Sequence, residues 1–246
     1  GLINIQFAVK NQDIYVLEVN PRASRTVPFI SKAIGIPIAK IAARIMVGEK
    51  LKKFNLEKRI SNIFAIKEAV FPFNKFPNVD VLLGPEMKST GEVMGIDENF
   101  GLSFAKSQMA CGNELPVSGT AFISVKDKDK KNALNFAKKL KELNFKLCAT
   151  SGTAKYLNSN GINCKKINKV REGSPHIVES LNKKNIELVI NTTEGTKSVS
   201  DSYSLRRSAL VNKIPYCTTL AAANACVQAI DSLKNYEIRV KAIQEL

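Results

Sequence analysis

The sequence predicts an α/β protein in two parts that divide near residue 110. Three observations carry that prediction. Apolar and polar residues alternate through residues 3–20, the period of a half-buried strand pair. From about Thr120 strand-like and helix-like segments follow one another regularly, the order of a parallel sheet flanked by helices. The 246 residues are 44% apolar with no long apolar run, enough for two modest cores and too interrupted for a membrane-spanning helix.

The first element is a hairpin. Ile3, Ile5, Phe7 and Val9 alternate with Asn4, Gln6 and Ala8; after a short polar run, Tyr15, Leu17 and Val19 alternate with Val16, Glu18 and Asn20. A three-residue turn at Asn11, Gln12 and Asp13 sets Ile5 opposite Val19, Phe7 opposite Leu17 and Val9 opposite Tyr15. It sets Gln6 opposite Glu18 and Asn4 opposite Asn20 on the other face. A slip of one residue would mix the faces, so the pattern fixes the register.

That register has a chemical consequence. Gln6 and Glu18 would carry Cβ atoms about 5 Å apart, with Asn20 two residues further along the same face. One carboxylate and two amide oxygens form a hard-oxygen set of the kind that holds Mg²⁺ and leaves room for water and phosphate. Pro21 stops the strand, and Arg22 and Arg25 follow, each able to grip a carboxylate or phosphate by paired hydrogen bonds. The same pattern also describes a solvated polar face on an ordinary hairpin.

Residues 31–50 predict a helix with apolar residues at helical spacing, broken or restarted at Gly35 and Pro37. Glu68 falls in a strand-like segment, where a surface charge is the ordinary reading. Residues 84–95 are glycine-rich and read as a loop and strand with no nucleophile.

In the second part, residues 120–125 read as a strand, and a helix follows with Ala133, Phe136, Ala137 and Leu140 along one face. The alternation continues to about residue 214. Ligands of such sheets bind beyond the carboxyl ends of strands, where loops lead into helix N-termini. Two strand ends carry polar runs there: Thr150-Ser151-Gly152-Thr153 and Asn191-Thr192-Thr193. Hydroxyls and a glycine at a helix start supply donors for phosphate; many such runs are simple N-caps.

Composition narrows the partners. Lys and Arg outnumber Asp and Glu by 37 to 22, a net charge of +15, which suits anionic ligands. Aromatics are only 7% and no recognised nucleic-acid motif occurs, so a nucleic-acid partner is not expected. Five cysteines without CxxC spacing, beside a single histidine, predict free thiols in a reducing cytoplasm and not disulfides or zinc. No charged-then-apolar leader precedes the first strand. His176 follows Pro175 at a predicted helix start.

Two runs carry a family resemblance. EVNPRASRTVPFISKAIGIPIAKIAARIMVG, residues 18–48, resembles the end of an ATP-grasp unit in the large chain of carbamoyl phosphate synthases, and residues 73–95 resemble the segment that follows it. The polar strand ends, with KVREGSPHI and SDSYSLRRSAL, resemble the methylglyoxal-synthase-like (MGS-like) domain at the C-terminal end of those chains. The resemblance implies a partial ATP-grasp, α+β segment with its connecting segment over 1–109 and a Rossmann-like, MGS-like allosteric domain with a parallel sheet over 110–246.

It also implies roles. Gln6, Glu18 and Asn20 would hold Mg²⁺ or Mn²⁺ bound to ATP phosphates, and Arg22 and Arg25 would line the catalytic site where the phosphorylated intermediate forms. Ser124, Lys130, Thr150, Thr153, Lys169, Asn191 and Thr193 would bind a nucleotide monophosphate effector, UMP or IMP. Glu68, Tyr216 and Thr218 would bind ornithine. The implied reaction joins bicarbonate, ammonia from glutamine and two ATP into carbamoyl phosphate for pyrimidine and arginine biosynthesis. Its partners are the remainder of the large chain and, through it, the glutaminase small chain, in an oligomeric parent enzyme. The segment alone is expected to be inactive.

Two other readings stay open: a freestanding nucleotide-sensing module or split-gene subunit, and a methylglyoxal synthase-type lyase. The lyase is disfavoured because, where methylglyoxal synthases carry a GGDQ run and a strand-end aspartate, this chain reads EGSP (172–175) and NTTEG (191–195), leaving Asp201 within a predicted helix. Thr196 and Lys197 stand where relatives often carry two arginines, which leaves the effector's identity open.

Overall fold

The computed structural model describes residues 1–56, 62–71, 91–194, 200, 202–242 and 245. The chain forms two compact units, Gly1–Asn62 with Arg239–Leu246, and Ile63–Ile238. Among the described residues no single helix is long and apolar enough to cross a membrane.

In the first unit, β1 (Asn4–Lys10) and β2 (Asp13–Asn20) pair antiparallel, with Gln6 opposite Glu18 and Asn4 opposite Asn20 as the sequence predicts. Beyond Gln6 the expected register fails. Phe7 faces Val16 and Val9 faces Ile14, not Leu17 and Tyr15. The turn has two residues, closed by the pair Lys10–Asp13, and both central residues are left-handed, Asn11 at φ 51 and Gln12 at φ 76. Such a turn matches the strand twist but sits one residue out of phase with the polar pairs. A β-bulge at Leu17 absorbs the difference. The hairpin's apolar side chains stay exposed, from 38% at Ile5 to 70% at Val9.

Helices α1 (Thr26–Ile34) and α2 (Ile38–Met46) are separated where Gly35 and Pro37 predict a break. Gly35 turns left-handed at φ 67 to end α1, a conformation that costs glycine least. Ile36 and Ala42 are the buried apolar residues here.

The second unit is built on a parallel sheet of five strands in the order β7-β6-β5-β8-β9. These are β5 (Thr120–Ser124), β6 (Lys146–Ala149), β7 (Lys165–Lys166), β8 (Leu188–Asn191) and β9 (Tyr216–Cys217). Alternate strand residues enter opposite cores. Ala121 and Ile123 pack with α4 (Lys130–Glu142), α5 (Ser151–Ser159) and α8 (Leu220–Asn235). Phe122 and Val189 pack with α6 (Ile177–Asn182) and α7 (Tyr203–Val211) on the other face.

The same unit includes the antiparallel pair β3 (Phe64–Val70) and β4 (Gly91–Asp97) and helix α3 (Phe100–Ala110). The division that the sequence places after Met109 falls inside this second unit, where α3 packs on α8. A Cβ on Gly101 would stand 2.3 Å from Ser232 Oγ and 2.6 Å from the Gln228 carbonyl, so only glycine permits this helix contact. Ser232 Oγ donates to Asn99 Oδ1 at 2.9 Å, the same oxygen that caps α3 by accepting from the Leu102 N–H. Residues 73–90 of the second resemblance run, together with Thr196, Lys197 and Asp201, lie outside the described residues.

All five cysteines are unpaired, and all belong to the second unit. Cys148, Cys164, Cys217 and Cys226 are buried and Cys111 partly so. Burial pushes the Cys148 thiol up to about 12 and those of Cys164 and Cys111 up to about 11.

Candidate functional site

A cavity of about 790 Å³ opens at the carboxyl ends of β5, β6 and β8. The parallel pairing sets Ser124 beside Asn191 and Ile123 beside Ala149, so the polar residues that end each strand arrive at one place. Thr150 Oγ1 donates to Ser124 Oγ at 3.3 Å. Thr153, in the first turn of α5, accepts from the Val125 N–H at 3.3 Å. Thr192 accepts from the Lys126 N–H at 3.2 Å, and its own N–H donates to the Ser124 carbonyl. Thr150, Thr153 and Asn191 are all buried. These bonds fix a rigid floor of hydroxyls at the start of a helix, a geometry that accepts phosphate oxygens.

Four lysines stand around that floor: Lys126, Lys128, Lys130 and Lys169. Lys130 Nζ lies 2.6 Å from Asp127 Oδ1, and this bond holds the Asp127 carboxyl below its ordinary range. Lys128 pairs with Glu194 at 2.5 Å, which lowers the Glu194 carboxyl. Lys169 offers its backbone N–H to Glu172 Oε2 at 3.0 Å. Among the described residues, each carboxylate lining the cavity, Asp127, Glu172 and Glu194, is therefore engaged.

Ser124, Lys130, Thr150, Thr153, Lys169 and Asn191 are thus brought together around one cavity. Thr193 is not: it is partly buried beside the cavity wall, and Thr192, one residue earlier, supplies the lining hydroxyl. Sequence reasoning noted Thr192 only as part of the polar run and missed Lys126 and Glu194. The signal available was the charged run Lys126-Asp127-Lys128-Asp129-Lys130 directly after β5. His176 caps α6, with Nδ1 accepting from the Glu179 N–H, and plays a structural part.

Glu68, Tyr216 and Thr218 lie on β3, on β9 and just beyond β9. Glu68, partly buried on β3, takes a hydrogen bond from Gln108 of α3, and burial raises its carboxyl above the ordinary value. Tyr216 accepts a hydrogen bond from Asn191 at 2.6 Å, and Thr218 is exposed just beyond β9.

In the first unit, Asn20 Nδ2 donates to Glu18 Oε1, and Gln6 sits directly across from Glu18. Gln6 and Glu18 are exposed, Asn20 less so. The set offers hard oxygen donors that fit Mg²⁺ or Mn²⁺. Among the described residues no group of three His, Cys, Asp or Glu provides an alternative metal site. Arg22 and Arg25 follow on the exposed turn into α1, Arg22 donating to the Ala23 carbonyl at 3.3 Å.

Similarity to known proteins follows the two units. Residues 1–54 match the family "Carbamoyl-phosphate synthase L chain, ATP binding domain", and residues 132–218 match the family "MGS-like domain". The carbamoyl phosphate synthase large chain of Mesorhizobium japonicum is 55% identical over all of this chain and 22% of its own length. Those of Rhizobium meliloti and Methanobrevibacter smithii are each 54% identical, over 99% and 100% of this chain and 22% and 23% of their own lengths. Among solved structures, the methylglyoxal synthase of Elizabethkingia anophelis NUHP1 is similar at a TM-score of 0.38 and 20% identity, over 46% of this chain and 79% of that one. The chain spans about a fifth of the length of the curated relatives it matches. With an ATP-binding-domain match at one end, an MGS-like match at the other and more than half of its residues shared throughout, the chain is similar over its whole length to one part of carbamoyl phosphate synthase large chains.

Proposed function

We propose that the chain is the C-terminal part of a cytoplasmic carbamoyl phosphate synthase large chain and that its second unit is the enzyme's nucleotide sensor. The observation that carries this reading is the cavity at the ends of β5, β6 and β8, with buried hydroxyls on its floor and lysines at its rim. Its size and charge suit a nucleoside monophosphate, UMP or IMP: the phosphate lies over the first turn of α5 beside Lys130, and Lys169 closes the opposite side. The first unit contributes Gln6, Glu18 and Asn20 to a Mg²⁺ or Mn²⁺ site, and Arg22 and Arg25 to the holding of a phosphorylated carbamate. The metal, when bound, neutralises ATP phosphate charge. Glu68, Tyr216 and Thr218 serve ornithine, the carboxylate of Glu68 meeting an ammonium that relieves its burial.

The parent enzyme joins bicarbonate, glutamine-derived ammonia and two ATP, with the remainder of the large chain and a glutaminase small chain as partners. Alone, the chain binds and does not turn over. A lyase reading is weakened by the engagement of Asp127, Glu172 and Glu194, none of which is left as a free base. A sensing module without catalysis is favoured only by the cavity lying wholly within one unit.

Calorimetric titration with UMP, IMP and ornithine tests the reading, repeated on Thr153→Ala and Lys169→Ala. Saturable nucleotide binding weakened by both variants supports it. A folded second unit that binds neither nucleotide overturns it. Adding the upstream part of the large chain should restore carbamoyl phosphate synthesis, and methylglyoxal production by the chain itself would favour the lyase.

A further inference from the structure

Asn191 ends β8 with its side chain in the cavity wall, only 3% exposed. Its Nδ2 donates to the hydroxyl of Tyr216 on the neighbouring strand at 2.6 Å. The strand register explains the meeting: Tyr216 lies opposite Val189, and Asn191 is two residues further along the same face of β8. An amide carries two N–H donors and one acceptor oxygen. With one donor tied to Tyr216, the orientation of the groups left for a ligand is set by that hydroxyl.

Tyr216 also begins a continuous packed path. Cys217 follows it in the core, and Thr219 caps α8 by accepting from the Ala222 N–H at 3.1 Å. Helix α8 then packs on α3 through Gly101 and Ser232, and α3 holds Glu68 through Gln108. We infer that the Asn191–Tyr216 hydrogen bond couples the cavity to β9 and α8: Tyr216 positions the amide of Asn191, and a ligand engaging that amide alters the bond and is felt at the start of α8. The inference rests on the cavity being a nucleotide site. Tyr216 is then a positioning residue for that ligand, and the coupling is reciprocal by linkage.

The test is a double-mutant cycle on the full chain with UMP as probe, using Tyr216→Phe, Asn191→Ala and the pair, read by calorimetry and by ¹H–¹⁵N spectra. Tyr216→Phe should weaken UMP about three- to tenfold, the scale of one hydrogen bond to a buried amide. The double variant should bind no more weakly than Asn191→Ala alone. The Asn191 side-chain amide signals should shift in Tyr216→Phe, and the Ala222 amide should respond to UMP in the wild type and not in that variant. Asn191→Ala removes the bond from its other side, so a folding defect in Tyr216→Phe does not shield the inference. Additive losses, or an Ala222 response that survives loss of the bond, overturn it. UMP binding that Thr153→Ala weakens and Tyr216→Phe leaves untouched overturns this inference alone; absence of UMP binding by the folded wild type overturns the nucleotide reading and the inference together.

Discussion

Lys130 Nζ lies 2.6 Å from Asp127 Oδ1 and 3.4 Å from the point where a Cβ would stand on Gly152. The ammonium therefore sits over the first turn of α5 while paired with a carboxylate whose side chain is 93% exposed. An exposed pair of this kind is weak and easily exchanged. An anion at the helix start would take Lys130 from Asp127.

Asp127→Asn should therefore strengthen UMP binding. The competing charge disappears while Lys130 remains, and the gain expected is about two- to fivefold. Calorimetry at low and high salt is the measurement. Unchanged affinity at both would show that Lys130 does not meet the phosphate.

Thr153→Ala removes the hydroxyl that bonds the Val125 N–H and leaves that buried group unpaired. The expected loss of stability is about 1–2 kcal/mol, read by urea unfolding, together with weaker nucleotide binding. Thr153→Ser keeps the hydroxyl and should restore both. If the serine variant binds as poorly as alanine, the methyl group and not the hydrogen bond is what matters.

Gly101→Ala should destabilise the second unit by about 1–3 kcal/mol through overpacking. The added carbon meets a flexible side chain at Ser232 and a main-chain oxygen at Gln228. Ser232→Ala in the same chain should recover only part of the loss, because the carbonyl stays. Thermal unfolding of the two variants measures this, and full recovery would place the clash on Ser232 alone.

The pH dependence of Glu68 has a definite sign. Burial, opposed by the Gln108 hydrogen bond, raises its folded-state pKa above the ordinary 4.5. The protonated form is favoured in the fold, so its contribution to stability is full below the ordinary value and is lost as pH rises through the folded one. Glu68→Gln should therefore melt higher than the wild type near pH 7 and equal to it near pH 4. A difference that persists in acid would assign the effect to packing.

Much of this was legible in the chain. The strand–helix alternation after Thr120 gives the parallel sheet, because each strand sheds one short loop into one amphipathic helix. The strand order, with β8 beside β5, is set by which helices cover which face, and no local pattern records that. In the hairpin, Gln6–Glu18 and Asn4–Asn20 were readable because polar pairs must share a face. The bulge was not, since Val16 and Leu17 are both apolar and either satisfies the alternation. The turn gave no warning either, as Asn11 and Gln12 adopt positive φ without a glycine. Helices α3 and α8 meet at Gly101 and Ser232, whose small side chains leave no strong stripe in the sequence. At the cavity, Thr192 and Thr193 are chemically identical neighbours just past the end of β8, and no local pattern marks which of them lines it.

The thiols offer a clock. All five cysteines belong to the second unit and the first unit has none. With four buried and the fifth pushed up to about 11, the folded chain should react sluggishly with neutral alkylating reagents. Modification mass, counted over time, then records how often the sheet opens, strand by strand: Cys148 on β6, Cys164 just before β7, Cys217 on β9 and Cys226 in α8. A bound effector would slow that count without any label being attached to the protein beforehand.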